Sequence, residues 1–296
     1  MAASVRQRLL NLSRNSEFSF HELLQYYAME RLLYRLSVSP HAGKYILKGA
    51  LLLRVWQLDS ARSTMDIDLL GITGNSRENI VAQIAEIIRS SSVDDGLIFD
   101  DASIDATPIT EESQYVGQRV KLFASLGTAK IRLQLDIGIG DSVYPTPKSF
   151  DLPSILDFPS PSLLCYQMET SIAEKFSAMV VRRELNSRMK DFYDIWLLLS
   201  NRSFDAVLLG EAIKQTFLKR NIALSKDVPA FLPSFAELKQ VEWNAFRKKL
   251  KFPPPKNFAE VIERIRNFLE PISLQLAQDS QPAGHWNPGG PWEFDE

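Results

Sequence analysis

The strongest chemical signal in the sequence comes from three acidic side chains in two short stretches. Arg62-Ser63-Thr64-Met65-Asp66-Ile67-Asp68-Leu69 sets two aspartates among large apolar residues. On a strand, residues two apart point the same way, so Asp66 and Asp68 share one face while Met65, Ile67 and Leu69 enter the core. Two like charges side by side are costly unless a cation offsets them. Hard carboxylate oxygens suit Mg²⁺, which completes its octahedron with water and substrate phosphates. A lone D-x-D also reads as solvated loop acids or a cap, and the apolar alternation argues against that here. The run from Lys130 to Ile139 repeats the parity: Ile131, Leu133, Leu135, Ile137 and Ile139 form one face, and Lys130, Arg132, Gln134 and Asp136 the other. By itself Asp136 reads as an edge-strand charge. If its strand neighbours 64–70, it arrives as a third carboxylate. Three acids on adjacent strands can hold two divalent ions, Mg²⁺ or Mn²⁺, one activating an attacking oxygen and one supporting a leaving pyrophosphate. Asp136 is then both ligand and candidate general base.

Further polar groups could serve the same chemistry. Lys48-Gly49-Ala50 falls at a strand-to-helix turn, where small residues let the backbone approach a phosphate and helix amides point at it. A tight packing turn is the plainer alternative. Downstream, Ala173-Glu174-Lys175-Phe176-Ser177-Ala178 precedes Arg188-Met189-Lys190-Asp191-Phe192-Tyr193-Asp194. Lys175 is a point charge suited to a triphosphate; Asp191 near a helix start could simply favour the dipole. Arg247, Lys248, Lys249 and Lys251 form a basic run, either a solvated face or a set of RNA phosphate contacts.

These residues need elements to position them. Ser19 and Glu22 read as a capping box opening a helix over 20–36. Tyr45–Lys48 is a short strand, leading through Gly49-Ala50 into a helix that reaches about Trp56. Residues 64–70 form a second strand and 78–89 an amphipathic helix. Two strand candidates lie at 97–107, and the runs 115–126 and 129–139 flank Gly127-Thr128 as a hairpin. Prolines 145, 147, 153, 159 and 161 mark a linker over 142–161, after which the pattern is helical. Three regions are expected: a domain to residue 150 with N-terminal helices, a helical domain over 151–276 carrying Lys175 and Asp191, and a Pro/Gly-rich tail over 277–296, flexible or loosely docked.

Composition narrows the function classes. The chain has 296 residues, 45% hydrophobic and 24% charged, which is ordinary for a globular protein. No apolar run approaches a bilayer span, and the N-terminus lacks the apolar stretch of a secretory signal. Arg6, Arg8 and Arg14 faintly resemble a transit peptide but read more simply as a surface helix. Cys165 is the lone cysteine, so no internal disulfide forms and a reducing, cytoplasmic setting is expected. His21, His41 and His285 are too scattered for a zinc site by local spacing. The net charge of −2 divides into −4 over residues 1–170, +6 over 171–270 and −4 over 271–296. The late-middle segment is thus the expected polyanion-facing part.

In their order, the strand–Gly–small–helix unit, Arg-Ser-Thr-x-Asp-Ile-Asp, the later lone Asp136 and the A-E-K … R-x-K-D-x-Y-D pairing resemble the polymerase-beta-type nucleotidyltransferase superfamily. More narrowly, they resemble the AbiEii/AbiGii toxin family. The likeness spans roughly residues 44–200; Gly49-Ala50 stands where that family has Gly-Gly or Gly-Ser. The resemblance implies an α+β fold: a nucleotidyltransferase-type mixed sheet flanked by helices, then a mainly helical C-terminal domain. It implies NMP transfer from an NTP to an acceptor such as the tRNA 3′ end, a toxin role and a cognate antitoxin. It also implies that Asp66, Asp68 and Asp136 hold metal, that Lys175 binds substrate phosphate, and that Asp191 is catalytically important. Lys48, Gly49, Ala50, Arg62, Ser63, Lys175 and Arg188 form the expected nucleotide-binding set, and Asp194 could orient Lys175 or Arg188. Two readings stay open beside it: transfer to a protein or small molecule, and a non-catalytic nucleotide- or partner-binding module.

Overall fold

Ser19 accepts a hydrogen bond from the amide of Glu22 while Glu22 reaches back to the amide of Ser19, the reciprocal cap read from the sequence. The computed structural model describes residues 1–58, 60–90, 93–109, 117–224 and 227–294. After α1 (Ala2–Arg14) and the capped α2 (Phe20–Ser37) comes the strand β1 (Tyr45–Lys48), then a 3-10 turn at Gly49–Leu51 and the one-turn α3 (Leu52–Val55). The chain continues through β2 (Ile67–Gly71), α4 (Arg77–Arg89), β3 (Leu97–Ile109), β4 (Gly117–Leu126), β5 (Ala129–Ile139), β6 (Lys148–Asp151) and β7 (Ser162–Cys165).

These strands form one mixed sheet in the order β3-β4-β5-β2-β1-β7-β6 among the described residues. The β4–β5 hairpin turns at Gly127-Thr128, where Gly127 takes φ +61°. The β2–β5 pair is parallel, with Ile67 beside Leu135 and Asp68 beside Asp136. The apolar parity of β5 holds: Ile131, Leu133, Leu135 and Ile137 are buried, as are Val120, Leu122, Ala124 and Leu126 on β4. Helices α2 and α4 pack on the sheet.

The first unit comprises residues 1–57, 63–141 and 148–165, and so runs past the expected boundary at 150. Within the predicted linker, residues 148–151 pair antiparallel with 162–165, and Leu47 of β1 pairs parallel with Cys165. Prolines made this stretch read as linker, but Pro145 and Pro147 precede the edge strand β6 and Pro153, Pro159 and Pro161 lie in the loop after it, where a missing N–H costs no ladder bond. The predicted strand at 64–70 begins only at Ile67, and the two candidates at 97–107 are one strand with an irregularity between Asp100 and Asp105. Residues 115 and 116 of the predicted 115–126 strand lie outside the described residues.

The second unit takes residues 58–62, 142–147 and 166–296. It contains α5 (Met168–Arg182), α6 (Met189–Asn201), β8 (Phe204–Asp205), α7 (Ala206–Lys219), α8 (Pro233–Arg247), α9 (Phe258–Leu276), β9 (Gly284–Trp286) and β10 (Trp292–Phe294). Helix α5 packs on α7, and α6 on α8 and α9. The tail departs from expectation. Its composition reads as loose, yet β9 pairs with β8 and β10. Trp286 and Trp292 are buried against Phe268, and their indole N–H groups donate to the carbonyls of Leu199 and Phe268. Two large rings with satisfied N–H groups outweigh the flexibility that Pro and Gly suggest. Among the described residues no helix is long and apolar enough to cross a membrane.

Candidate active site

Strand register in the first unit lines up four charges. Lys48 on β1 stands opposite Asp68 on β2, Asp68 beside Asp136 on β5, and Asp136 opposite Arg119 on β4. Residues in register on neighbouring strands project from the same face, so the row reads cation, anion, anion, cation. Arg119 donates from Nε and Nη2 to the two oxygens of Asp136, at 2.8 and 2.7 Å. Gln134 adds a bond to Asp136 at 3.3 Å. At the other end Lys48 Nζ donates to Asp141 Oδ2 at 3.1 Å. A carboxylate oxygen has two acceptor positions, so the Arg119 fork fixes the orientation of Asp136 without exhausting it.

Gly49 completes this row. Its φ is +71°, and a Cβ built there would meet Asp68 Oδ2 at 2.0 Å. Asp68 therefore lies against the bare Cα of Gly49. The expected helix N-terminus for phosphate is reduced to a 3-10 turn and the four-residue α3, with Ala50 buried, so little dipole is available there. The hydroxyl of Ser63 donates to Glu22 at 3.2 Å.

Asp66 lies just before β2 rather than on it, its amide donating to Thr64 Oγ1 at 3.4 Å. It borders a cleft of about 430 Å³ where β5 runs beyond the start of β2. Buried Gln25 reaches from α2 into this notch and donates to the carbonyls of Arg132 and Met65, at 3.0 and 3.3 Å. It thereby satisfies a β5 edge carbonyl that β2 does not reach.

Among the described residues no three His, Cys, Asp or Glu side chains form a ready-made metal cage, so the expected three-carboxylate cluster is not preassembled. What fits a divalent ion is the adjacent pair Asp68 and Asp136, with Asp66 two residues upstream. Mg²⁺ commonly uses one or two carboxylates and fills its other positions with water and substrate phosphate.

A second charged cluster sits within the second unit. Arg62 donates from Nε and Nη2 to both oxygens of Asp194, at 2.7 and 2.9 Å. Lys175 on α5 places Nζ 3.2 Å from Asp194 Oδ2 and 3.6 Å from Asp191 Oδ1 on α6. Burial alone would lower the Lys175 pKa, but Asp194 and then Asp191 outweigh it and hold the pKa above the ordinary lysine value. Burial alone would raise Asp194; Arg62 and then Lys175 overcome it and hold that carboxyl below the ordinary aspartate value. Lys175 is therefore a fixed cation near neutral pH, suited to phosphate and unsuited to act as a base.

Residues 31–270 match the family model described as nucleotidyl transfer toxin AbiEii, type IV toxin-antitoxin system ("Nucleotidyl transferase AbiEii toxin, Type IV TA system"). The chain belongs to this AbiEii family. A comparison with curated proteins gives no match. Two solved structures are similar in outline. The crystal structure of JHP933 from Helicobacter pylori has 13% identity and TM-score 0.49, covering 88% of this chain and 94% of its own. A putative nucleotidyltransferase from H. pylori has 14% identity and TM-score 0.47, covering 88% and 97%.

In this AbiEii chain the expected site residues gather in two clusters, one within each unit. Lys48, Gly49, Asp68 and Asp136 meet in the sheet row, whereas Arg62, Lys175, Asp191 and Asp194 meet in the helical cluster. Arg62 is bound to Asp194 rather than open as a phosphate ligand. Asp194 does orient Lys175, with Arg62 as its second partner. Half-buried Arg188 is the N-cap residue of α6. In the basic run, Lys248 and Lys249 are exposed, Arg247 donates to the Pro254 carbonyl at 2.8 Å, and Lys251 is half-buried. Cys165 is buried, which pushes its thiol up to about 12 and rules it out as a nucleophile. Sequence reasoning missed Arg119, Asp141 and Gln25. Arg119 was within reach, because a hairpin turning at Gly127-Thr128 pairs Leu126 with Ala129 and so brings Arg119 opposite Asp136.

Proposed function

We propose that the chain transfers a nucleoside monophosphate from an NTP to an RNA hydroxyl, at the tRNA 3′ end. In this reading it acts in the cytoplasm as a toxin restrained by a separately encoded antitoxin. The observation that supports this most is the Lys48–Asp68–Asp136–Arg119 row, which sets two carboxylates side by side. A bound Mg²⁺ or Mn²⁺ would supply charge neutralisation for the donor phosphates and acidify a coordinated hydroxyl. Asp68, Asp136 and Asp66 would hold it. Arg119 keeps Asp136 aimed, and Asp136 accepts the proton of the acceptor hydroxyl as its oxygen bonds to the α-phosphorus. The bond from that phosphorus to the α–β bridging oxygen breaks, and pyrophosphate leaves. Lys175, charged and held by Asp194 and Asp191 within the second unit, has the chemistry of a phosphate-binding group.

The test is incubation with α-labelled NTPs, total tRNA and Mg²⁺, beside Asp66→Ala/Asp68→Ala. The wild type labels RNA and the variant does not; equal labelling by both ends the carboxylate assignment. Label arriving only from γ-labelled donor indicates phosphoryl transfer instead. The cleft at Asp66 would also admit a small acceptor, so intact mass of candidate proteins and small molecules after the same incubation tests that second reading.

A further inference from the structure

The open face of the β3–β4–β5 strands carries more cations than the row above uses. Lys121 on β4 pairs with Gln134, Phe123 with Arg132, and Ser125 with Lys130. These residues share the face of Asp136, because cross-strand partners and residues two apart along a strand project together. Lys130 and Arg132 are exposed, and Lys121 and Phe123 are half-buried. Lys130 Nζ stands 3.9 Å from the centroid of the Phe123 ring. Lys121 stands opposite Asp105, and Phe123 opposite Asp100, across the β3–β4 pair; among the described residues Lys130 and Arg132 have no carboxylate partner, in contrast to Arg119, which is forked onto Asp136.

Two exposed cations unmatched by acids, beside an aromatic ring, favour a polyanion with flat bases. Lys130 and Arg132 also line the cleft that Asp66 borders. Its volume of about 430 Å³ lies within the range of roughly 300–1,000 Å³ typical of small-ligand pockets. Its lining mixes apolar Leu24 and Ile131 with polar Gln134 and the exposed imidazole of His21. An acidic protein surface would be met by the cations but would leave the ring and the cleft without a use.

We infer that this face is the acceptor site for a single-stranded nucleic acid 3′ end. The terminal nucleotide occupies the cleft beside Asp66, and the preceding phosphates track along Arg132 and Lys130 with a base on Phe123. The inference rests on the nucleotidyl-transfer reading and adds where the acceptor lies: on the sheet, rather than on the basic run ending α8.

The experiment measures binding of a short 5′-labelled single-stranded RNA by fluorescence anisotropy across a salt series. It compares wild type, Lys130→Ala/Arg132→Ala and Lys248→Ala/Lys249→Ala. Removing two phosphate contacts weakens RNA binding about tenfold near physiological salt and lowers the log–log salt slope by about 1.4. Thermal stabilisation by NTP with Mg²⁺ stays at the wild-type value in the Lys130/Arg132 variant, which shows that the fold and donor binding are intact. Wild-type RNA affinity and slope in that variant overturn the inference, as does a loss confined to the Lys248/Lys249 variant. Displacement of RNA by an acidic polypeptide at equal charge concentration also overturns it. Absence of any RNA binding by the wild type overturns it too, while retained NTP stabilisation would leave donor binding standing.

Discussion

Replacing Gly49 by alanine tests how closely the Lys48–Asp68–Asp136–Arg119 row is built. At φ +71° an alanine sits in the left-handed region, at a cost of about 1–2 kcal/mol. The larger effect is steric. The new methyl would lie 2.0 Å from Asp68 Oδ2, 2.6 Å from Cγ and 2.7 Å from Cβ. Turning the carboxyl away relieves the first two contacts but not the third, so the β1–β2 pair must spread as well. Asp68 then moves by roughly 1 Å, a displacement that can lower a rate about 100-fold. We expect stability to fall by about 1–3 kcal/mol, measured by denaturant unfolding, and kcat for label transfer from α-labelled NTP to fall about 100-fold. The transfer loss should far exceed the unfolded fraction at the assay temperature. Near-wild-type transfer by the folded variant would refute the claim that Asp68 must hold its position against Gly49.

The helical cluster gives two further outcomes. Asp194→Asn leaves Arg62 and Lys175 without their shared counter-charge at a site where Asp194 is 1% exposed, at a cost of about 3 kcal/mol; an unchanged unfolding midpoint contradicts this. Because the folded pKa of Asp194 is depressed below 3.8, its contribution is present above that value and is lost as pH falls through the lower folded value. The raised pKa of Lys175 gives the opposite limb: its contribution is present below 10.5 and is lost as pH rises through the higher folded value. Melting temperature against pH should therefore drop at both extremes in the wild type, and the acid limb should shrink in Asp194→Asn. Finally, Trp286→Ala should cost about 3–5 kcal/mol and expose the tail to limited proteolysis. Wild-type resistance would return the tail to a loosely docked role.

Much of the sheet was legible because parity along β5 and the turn at Gly127-Thr128 state both its faces and its register. The adjacency of Asp68 and Asp136 followed once β2 was placed beside β5, although sequence could pose that pairing only as a condition. Asp66 was misplaced on the strand because alternation continues through Met65 and Ile67, whereas the Thr64 hydroxyl bonds the Asp66 amide in a local turn. The proline-rich stretch hid β6, since composition records the prolines on either side of it and not the strand that pairs with it. The tail hid its two tryptophan anchors for the same reason. The Arg62–Asp194 fork joins residues far apart in sequence, and only tertiary structure brings them together.

Direct titration of Mn²⁺ into the protein bearing a non-hydrolysable NTP analogue, by isothermal calorimetry, reports on the carboxylate row without requiring turnover. The wild type should bind the ion with an affinity that Asp68→Asn and Asp136→Asn each weaken at least tenfold while the fold remains intact. Equal affinity in wild type and both variants would contradict the assignment of this pair as the metal site.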